Sequence, residues 1–177
     1  MPTMVHRKRA GFNLVELIIV IVVVGIIAAI SIPRVTRGAR TDNDTALRAS
    51  LGVLRTAIEL YASEHGGVFP GARDAGGPYG CAGSADAFRN QLLYYTDADG
   101  RVSETPDAIH LYGPYVRSNL PPLPVGANHG SSEVCVAPTG PVPGGSAGWV
   151  YNYETGEIIA NCGDAERDGL DTRYNRY

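Results

Sequence analysis

The sequence lacks the features by which several functional classes are recognised. Its net charge is −3 and its arginines are dispersed, so it has no basic patch of the kind that binds nucleic acid. It contains no internal repeat and no low-complexity tract. A set of Ser131, His129 and Asp107 can be assembled on paper, but any chain of this length offers such a set, and no phosphate-binding loop is present. The sequence therefore indicates neither nucleic-acid binding nor catalysis.

Cysteine is also scarce, with one each at positions 81, 135 and 162. No Cys-x-x-Cys pair occurs and the histidines stand apart, so the spacing does not predict a zinc site. An odd number of thiols leaves one unpaired in an oxidising compartment. Cys135 and Cys162 both lie on the predicted sheet and are the favoured disulfide pair, although Cys81, in a glycine-rich loop, could take either as its partner.

The longest apolar run of the sequence, residues 17–32, contains no charged residue. A basic cluster at residues 7–9 precedes Gly11 and Phe12, and after Glu16 the segment 17–32 carries no charge. From Phe12 onward the run is about as long as the ~20 residues that an α-helix needs to cross a bilayer. A lone carboxylate costs roughly 2.5–3.5 kcal/mol at the centre of a membrane helix. Glu16 is therefore a functional candidate.

This N-terminal pattern resembles that of type IV pilins and of the pseudopilins of type II secretion. The resemblance depends on Gly11, Phe12, Glu16, the unbroken apolar run, Gly25 and Pro33. It implies that a prepilin peptidase cleaves between Gly11 and Phe12 and methylates the new amine of Phe12. It also implies that the chain waits in the bacterial inner membrane, with its C-terminal domain in the periplasm, until it enters a helical filament.

Three plainer interpretations of the N-terminus compete with this one. The first, a buried soluble helix, is the weakest because too little protein remains to cover the run on all sides. A secretory signal peptide has a basic start, but its apolar core is usually 7–15 residues long and ends at a small-residue cleavage site; residues 27–31 imitate such a site only weakly. A simple single-span anchor accounts for the length and gives no reason for Glu16. Arginines flank the run on both sides, so the positive-inside rule gives no clear orientation.

A second helical pattern follows the apolar run. Apolar residues recur at intervals of three and four and form one stripe, and they are Leu47, Leu51, Leu54, Ile58 and Tyr61. Glycines at 66 and 67 end the pattern. We predict one long helix whose transmembrane and assembly part is 12–33 and whose amphipathic part is 34–65. The resemblance to pilins implies that the segment between Gly25 and Pro33 loses helicity when subunits pack.

The remaining residues, 66–177, are predicted to form a periplasmic α+β domain that follows a cleaved leader at 1–11. The pattern predicts a helix over 84–96 and short strands over 109–117 and 133–137. Two β-rich runs within 148–160, joined by a glycine-containing loop, predict a hairpin. Trp149 in this hairpin is interpreted as a core residue.

The hairpin sequence, with residues 112–115 and 120–122, looks like the globular domain of major pseudopilins. That resemblance implies a type IV pilin-like fold, in which the long helix packs on a small antiparallel sheet. The implied partners are further copies of the chain, minor pseudopilins, the prepilin peptidase, the inner-membrane assembly platform and the lipid bilayer. A type IV pilin for adhesion, motility or DNA uptake, and a membrane-tethered binding or enzyme domain, stay open as alternatives.

Calcium is the one cofactor for which the sequence offers candidate ligands. Asp97 and Asp99 resemble the start of a calcium loop, but no third ligand precedes Gly100, so an Asp-Gly turn is the simpler interpretation. The resemblance to major pseudopilins implies Ca²⁺ in the C-terminal loop. Acidic residues lie there, and no pattern selects among them: Asp164, Asp168 and Asp171.

Overall fold

A computed structural model describes residues 13–138 and 144–177, without the side chains of residues 30–41. The chain forms two compact units, Met1–Ala39 and Arg40–Tyr177. One α-helix, α1, spans Leu14–Glu64, as the two helical patterns predict. The predicted leader and Phe12 lie outside the described residues.

In the unit Arg40–Tyr177, α1 buries the predicted apolar stripe, because hydrophobic residues recur on one face only. Leu47, Leu54 and Ile58 are fully buried. The helix ends as glycine chemistry predicts: Gly66 has a φ of 67°, and Gly67 N donates to the carbonyl of Ala62 at 2.8 Å. A left-handed glycine of this kind satisfies carbonyl groups that the last helical turn leaves free.

A second helix, α2, spans Ala85–Leu93. Its cap is Ser84, whose Oγ accepts a hydrogen bond from Ala87 N at 3.0 Å, which stabilises the first turn. The prediction of a helix over 84–96 is therefore correct at its start and too long at its end. The chain leaves the helix because β1, Tyr95–Thr96, pairs with β2, Val102–Ser103, in an antiparallel ladder.

Three further strands form a second sheet in the order β3-β4-β5. They are β3 (Val134–Val136), β4 (Trp149–Tyr151) and β5 (Ile158–Ala160). The predicted hairpin is confirmed, since β4 and β5 are antiparallel. The predicted antiparallel sheet needs one correction: β3 joins β4 in parallel, so the sheet is mixed. The α+β class is confirmed. Short 3₁₀ turns span Gly77–Tyr79 and Tyr174–Arg176.

The predicted strand at 109–117 is wrong. Tyr112 alone bridges to Thr96, through backbone hydrogen bonds of 2.9 and 3.1 Å. Before it, the Asp107 carboxylate accepts from the backbone N–H groups of Ile109 and His110, each at 2.8 Å. Such a side-chain turn competes with a strand ladder for the same backbone groups, and Pro114 has no N–H to contribute.

Aromatic side chains of the hairpin fill the core beneath α1 and α2. Trp149 is fully buried, and its Nε1 donates to the Pro121 carbonyl at 2.8 Å. The ring of Tyr151 lies 4.1 Å from that of Phe88. The interpretation of Trp149 as a core residue is confirmed.

Candidate functional site

Glu16 lies in the first turn of α1 with its side chain exposed. Asn13 precedes this turn, and its Oδ1 accepts from Val15 N at 3.2 Å, while its carbonyl accepts from Leu17 N at 3.1 Å. A carboxylate near a helix N-terminus is favoured by about 0.3–1 kcal/mol through the helix dipole. The helix thus holds Glu16 near its own start, on a surface open to a partner.

The side chains that follow Glu16 are apolar on every face of the helix. Each large hydrophobic residue from Leu14 to Ile27 is between 46% and 70% exposed. A contiguous apolar surface of this size is uncommon on a monomeric soluble protein and marks a surface that contacts lipid or protein. Gly25 adds to it an open position, since nothing lies within 4 Å of where a Cβ would be.

For three of the predicted assembly and processing positions the structure describes no side chain. Gly11 and Phe12 lie outside the described residues, and Pro33 lies on the part of α1 whose side chains are not described. Within the described residues, no helix is both long enough and apolar enough to cross a membrane.

The C-terminal loop is held on α1 by a buried carboxylate that sequence reasoning did not single out for this role. The side chain of Asp168 is 1% exposed. Its Oδ1 accepts from the backbone N–H groups of Leu170 at 2.8 Å and Thr172 at 2.7 Å. Its Oδ2 accepts from the Tyr177 hydroxyl and lies 3.7 Å from the Arg48 guanidinium. These contacts, led by the Tyr177 hydrogen bond, lower the pKa of Asp168.

A second carboxylate of α1, Asp44, binds the same loop. Its Oδ1 accepts from the Tyr174 hydroxyl at 2.9 Å, and its Oδ2 accepts from Gly169 N at 3.3 Å. Burial, together with the hydrogen bond to Asp44, raises the pKa of Tyr174 to about 12. The signal available in the sequence was the spacing of Asp44 and Arg48, which places both on one helix face.

The predicted calcium ligands are engaged in other contacts. Asp97 Oδ1 accepts from Asp99 N at 2.9 Å and from Arg101 N at 2.8 Å, which makes the Asp-Gly turn that was the simpler interpretation. Asp164 accepts from Asn175 at 3.1 Å and pairs with Arg173 at 2.9 Å.

The contacts of Asp164, first the hydrogen bond from Asn175, lower its pKa. Across the described part of the chain, no three His, Cys, Asp or Glu side chains come together as a metal site. Among the described residues, neither the pair Asp97 and Asp99 nor the pair Asp164 and Asp168 belongs to such a group, and the four carboxylates contact N–H groups, Tyr177 or arginines.

The predicted disulfide is not formed in the structure. Cys81, Cys135 and Cys162 are all free. Cys135 is exposed on β3, whereas Cys162 is buried, where a Cβ added to Gly126 would lie 2.7 Å from its Sγ. Burial raises the pKa of Cys162 to about 12. The two thiols differ in environment, which sequence position alone did not reveal.

Asp107, which the sequence offers together with Ser131 and His129 as a possible catalytic set, pairs with His110 instead of His129. Its Oδ2 lies 2.9 Å from His110 Nδ1. Hydrogen bonds from the backbone of His110 and Ile109 are the main reason that the pKa of Asp107 falls to about 2. The pair stabilises an exposed turn. The sequence analysis did not identify His110 as the partner of Asp107.

Comparisons with known proteins point to the same N-terminal segment. The model of the prokaryotic N-terminal methylation motif matches residues 6–32. The chain is 41% identical over 61 residues to prepilin peptidase-dependent protein D of Escherichia coli (strain K12), covering 34% of this chain and 42% of that protein. It is 27% identical over 162 residues to the type IV major pilin protein PilA of Myxococcus xanthus (strain DK1622), covering 89% of this chain and 70% of that protein.

A third relative is the competence protein ComGC of Halalkalibacterium halodurans (strain ATCC BAA-125 / DSM 18197 / FERM 7344 / JCM 9153 / C-125), 30% identical over 59 residues. That match covers 33% of this chain and 58% of ComGC, so the chain spans less than two thirds of the length of two of these three relatives. No solved structure matches the chain. In its motif at residues 6–32, in these relatives and in the α+β architecture behind one long helix, the chain is similar to type IV pilin-like proteins.

Proposed function

We propose that the chain is a structural, non-catalytic subunit of a type IV pilin-like filament, and specifically of a type II secretion pseudopilus that supports protein export. The observation that carries the proposal is the coincidence of the methylation motif at residues 6–32 with an apolar helix surface that bears one carboxylate, Glu16. An apolar surface with a single charge suits a helix that moves from lipid into a bundle of like helices.

The proposed processing creates a partner for that charge. Cleavage between Gly11 and Phe12 would leave a positive amine on Phe12, four residues before Glu16. A buried charge is strongly disfavoured alone and is rescued by a well-placed opposite charge. Pairing of Glu16 with the amine of an incoming neighbour would fix the axial register of otherwise featureless apolar helices, because a slipped position leaves both charges unpaired.

The division of the chain follows from this role. Residues 12–33 would span the inner membrane and then form the filament core, with Gly25 and Pro33 bounding the segment that adapts on packing. Residues 34–65 would continue as the amphipathic part, and 66–177 would form the periplasmic domain. Minor pseudopilins and the inner-membrane assembly platform would be its partners during assembly.

A type IV pilus is the second candidate. The observation in its favour is that the match to the type IV major pilin protein PilA extends over 89% of this chain, well beyond the methylation motif. Deletion separates the two candidates: loss of secreted proteins supports a pseudopilus, and loss of surface fibres recovered by shearing supports a pilus.

Processing is the step to test first, and the sequence offers a clean chemical readout. Lys8 is the last lysine, so residues 12–177 contain none. After cleavage, an amine-reactive reagent should label the chain at Phe12 alone, whereas the precursor should be labelled at its own N-terminal amine and at Lys8, and not at Phe12. We expect intact mass to place the start at Phe12 with one added methyl group.

Gly11→Val should leave full-length precursor in the membrane, because glycine lets the peptidase approach the backbone closely. Ala10→Val, one residue earlier, is the matched control and should still be cleaved. A chain that begins near Ser31 would instead support the signal-peptide interpretation and contradict the proposal.

A further inference from the structure

Leu170 is the most exposed large apolar side chain among the described residues, at 82%. Its loop is braced from within: Leu170 N and Thr172 N donate to Asp168, Asp171 adopts a left-handed φ of 66°, and Arg167 donates to the Asp171 carbonyl at 2.9 Å. A side chain presented on a braced loop loses little conformational freedom when it binds. Leu170 is therefore an exposed apolar side chain on an ordered loop, which suits it to contact another molecule.

A second exposed surface, of mixed polar and apolar lining, lies elsewhere on the same unit. A hollow of about 350 Å³ is lined by Asp97, Ala98, Asp99, Ala108, Ile109, Leu111 and Tyr112. Ile109 and Leu111, the large aliphatic residues of this hollow, are 65% and 68% exposed. Their turn is braced by the Asp107 carboxylate, which accepts from Ile109 N. The hollow is thus a preformed surface in which two exposed aliphatic side chains lie beside the acidic residues Asp97 and Asp99.

The two surfaces lie near opposite ends of the amphipathic part of α1. The Leu170 loop contacts the helix at Asp44, through Gly169 N. The hollow adjoins His65, just past the helix end, where His65 Nε2 lies 2.9 Å from the Asp97 carbonyl. Asp44 and His65 are separated by about 30 Å of helix at 1.5 Å per residue. A contact between two different surfaces of identical subunits is heterologous and propagates as an open helical array when it does not close.

The charges around the two surfaces complement each other. The Leu170 loop carries the exposed pair Arg167–Asp171, at 3.3 Å, and the hollow carries the exposed pair Arg73–Asp99, at 3.8 Å. Exposed ion pairs of this kind contribute little to stability, so each pair can exchange partners between subunits at little cost. An apolar contact within a polar rim is the usual anatomy of a protein interface.

We infer that a second copy of this chain seats its Leu170 in the hollow around Ile109 and Leu111, with Asp171 facing Arg73 and Arg167 facing Asp99. The inference rests on the proposed filament function and names the surfaces that stack one globular unit on the next. Glu16 is proposed to set the register between the helices. The contact inferred here would join the globular units as well.

Crosslinking within filaments tests this contact. The parent is the full chain with Cys81→Ser and Cys135→Ser; Cys162 can remain because its buried thiol, with a raised pKa, reacts poorly with maleimides. Leu170→Cys and Ile109→Cys are added to this parent singly and together, and sheared filaments are treated with a short bis-maleimide. The double variant should give a ladder of dimers, trimers and higher species, and each single variant should give monomer.

A single variant that forms dimers would indicate a two-fold contact and overturn the inference. Intact filaments of the double variant without a ladder would overturn it as well, while leaving the filament function standing. If the parent itself forms no filaments, the proposed function fails first and the inference fails with it.

Charge exchange gives a second, independent test. Arg73→Asp and Asp171→Arg should each lower the sheared filament fraction severalfold, because each creates a like-charge contact between subunits. The two substitutions together should restore it. Within one subunit of the double variant, the new aspartate at position 73 still repels Asp99 and the new arginine at position 171 still repels Arg167. Restored assembly would therefore report the contact between subunits. No loss in the single variants, or no recovery in the double variant, would contradict the proposed pairing.

Discussion

Asp168 illustrates how a single side chain organises a loop. It combines two backbone N–H donors, the Tyr177 hydroxyl and the Arg48 guanidinium around one carboxylate. All four contacts favour the charged form, and they lower its pKa. A carboxyl whose pKa is lower in the folded state stabilises the fold above its unfolded pKa, and this contribution is lost as the pH falls through the folded pKa.

We therefore expect Asp168→Asn to be less stable than the parent at neutral pH. The difference in urea midpoint should persist down to about pH 4, near the unfolded pKa of Asp, and shrink at lower pH as Asp168 takes up a proton. Asp171→Asn, on the same loop and with an 84% exposed side chain, is the matched control and should have little effect. A difference that stays constant with pH would show that Asp168 acts by shape alone.

At the scale of elements, the hairpin of β4 and β5 depends on one glycine. Gly156 has a φ of 73°, and a Cβ there would lie 2.5 Å from the Phe69 ring. Gly66, at the end of α1, has a similar φ of 67° but nothing within 4 Å of its Cβ position. The two glycines share the backbone requirement and differ in the space available.

Alanine substitution at these positions separates the two effects. Gly66→Ala should cost about 1–2 kcal/mol, the penalty of a left-handed residue with a Cβ. Gly156→Ala should cost about 1–3 kcal/mol more, because Phe69 must move. Urea unfolding measures both, with an unchanged slope if the denatured state is unaffected. Equal midpoints for the two variants would mean that Phe69 adapts without loss.

At the scale of the whole molecule, the role proposed for Glu16 requires other subunits. In the isolated chain it is exposed, so Glu16→Ala should leave folding, insertion and cleavage after Gly11 unchanged. In the filament its carboxylate should be paired, so we expect at least a tenfold drop in the sheared filament fraction, which corresponds to about 1.4 kcal/mol. Glu16→Asp should be intermediate because its side chain is shorter.

The control for this experiment is Glu59→Ala, which removes an exposed glutamate from the amphipathic part of the same helix and should assemble normally. The assay compares filament and membrane fractions of cleaved protein. Normal filament yield from cleaved Glu16→Ala would overturn the pairing with the Phe12 amine.

Some of the fold was predictable because it depends on neighbours in the chain. The stripe from Leu47 to Tyr61, the start of the helix predicted over 84–96 and the hairpin around Gly156 are confirmed, and each follows from spacing or local chemistry within a few residues. The predicted strand at 109–117 failed for the same kind of reason: the Asp107 side chain captures local N–H groups that a strand would have used.

The sequence by itself determined the helical N-terminus, the helix face that is buried and the hairpin, because residue periodicity and turn propensities act locally. Only the tertiary structure decided that β3 joins its sheet in parallel, that Cys135 is exposed while Cys162 is buried, and that Asp168 contacts Arg48 and Tyr177. Those outcomes depend on contacts between residues far apart in the chain. Their partners are selected when the core packs, and no local pattern in the sequence identifies them.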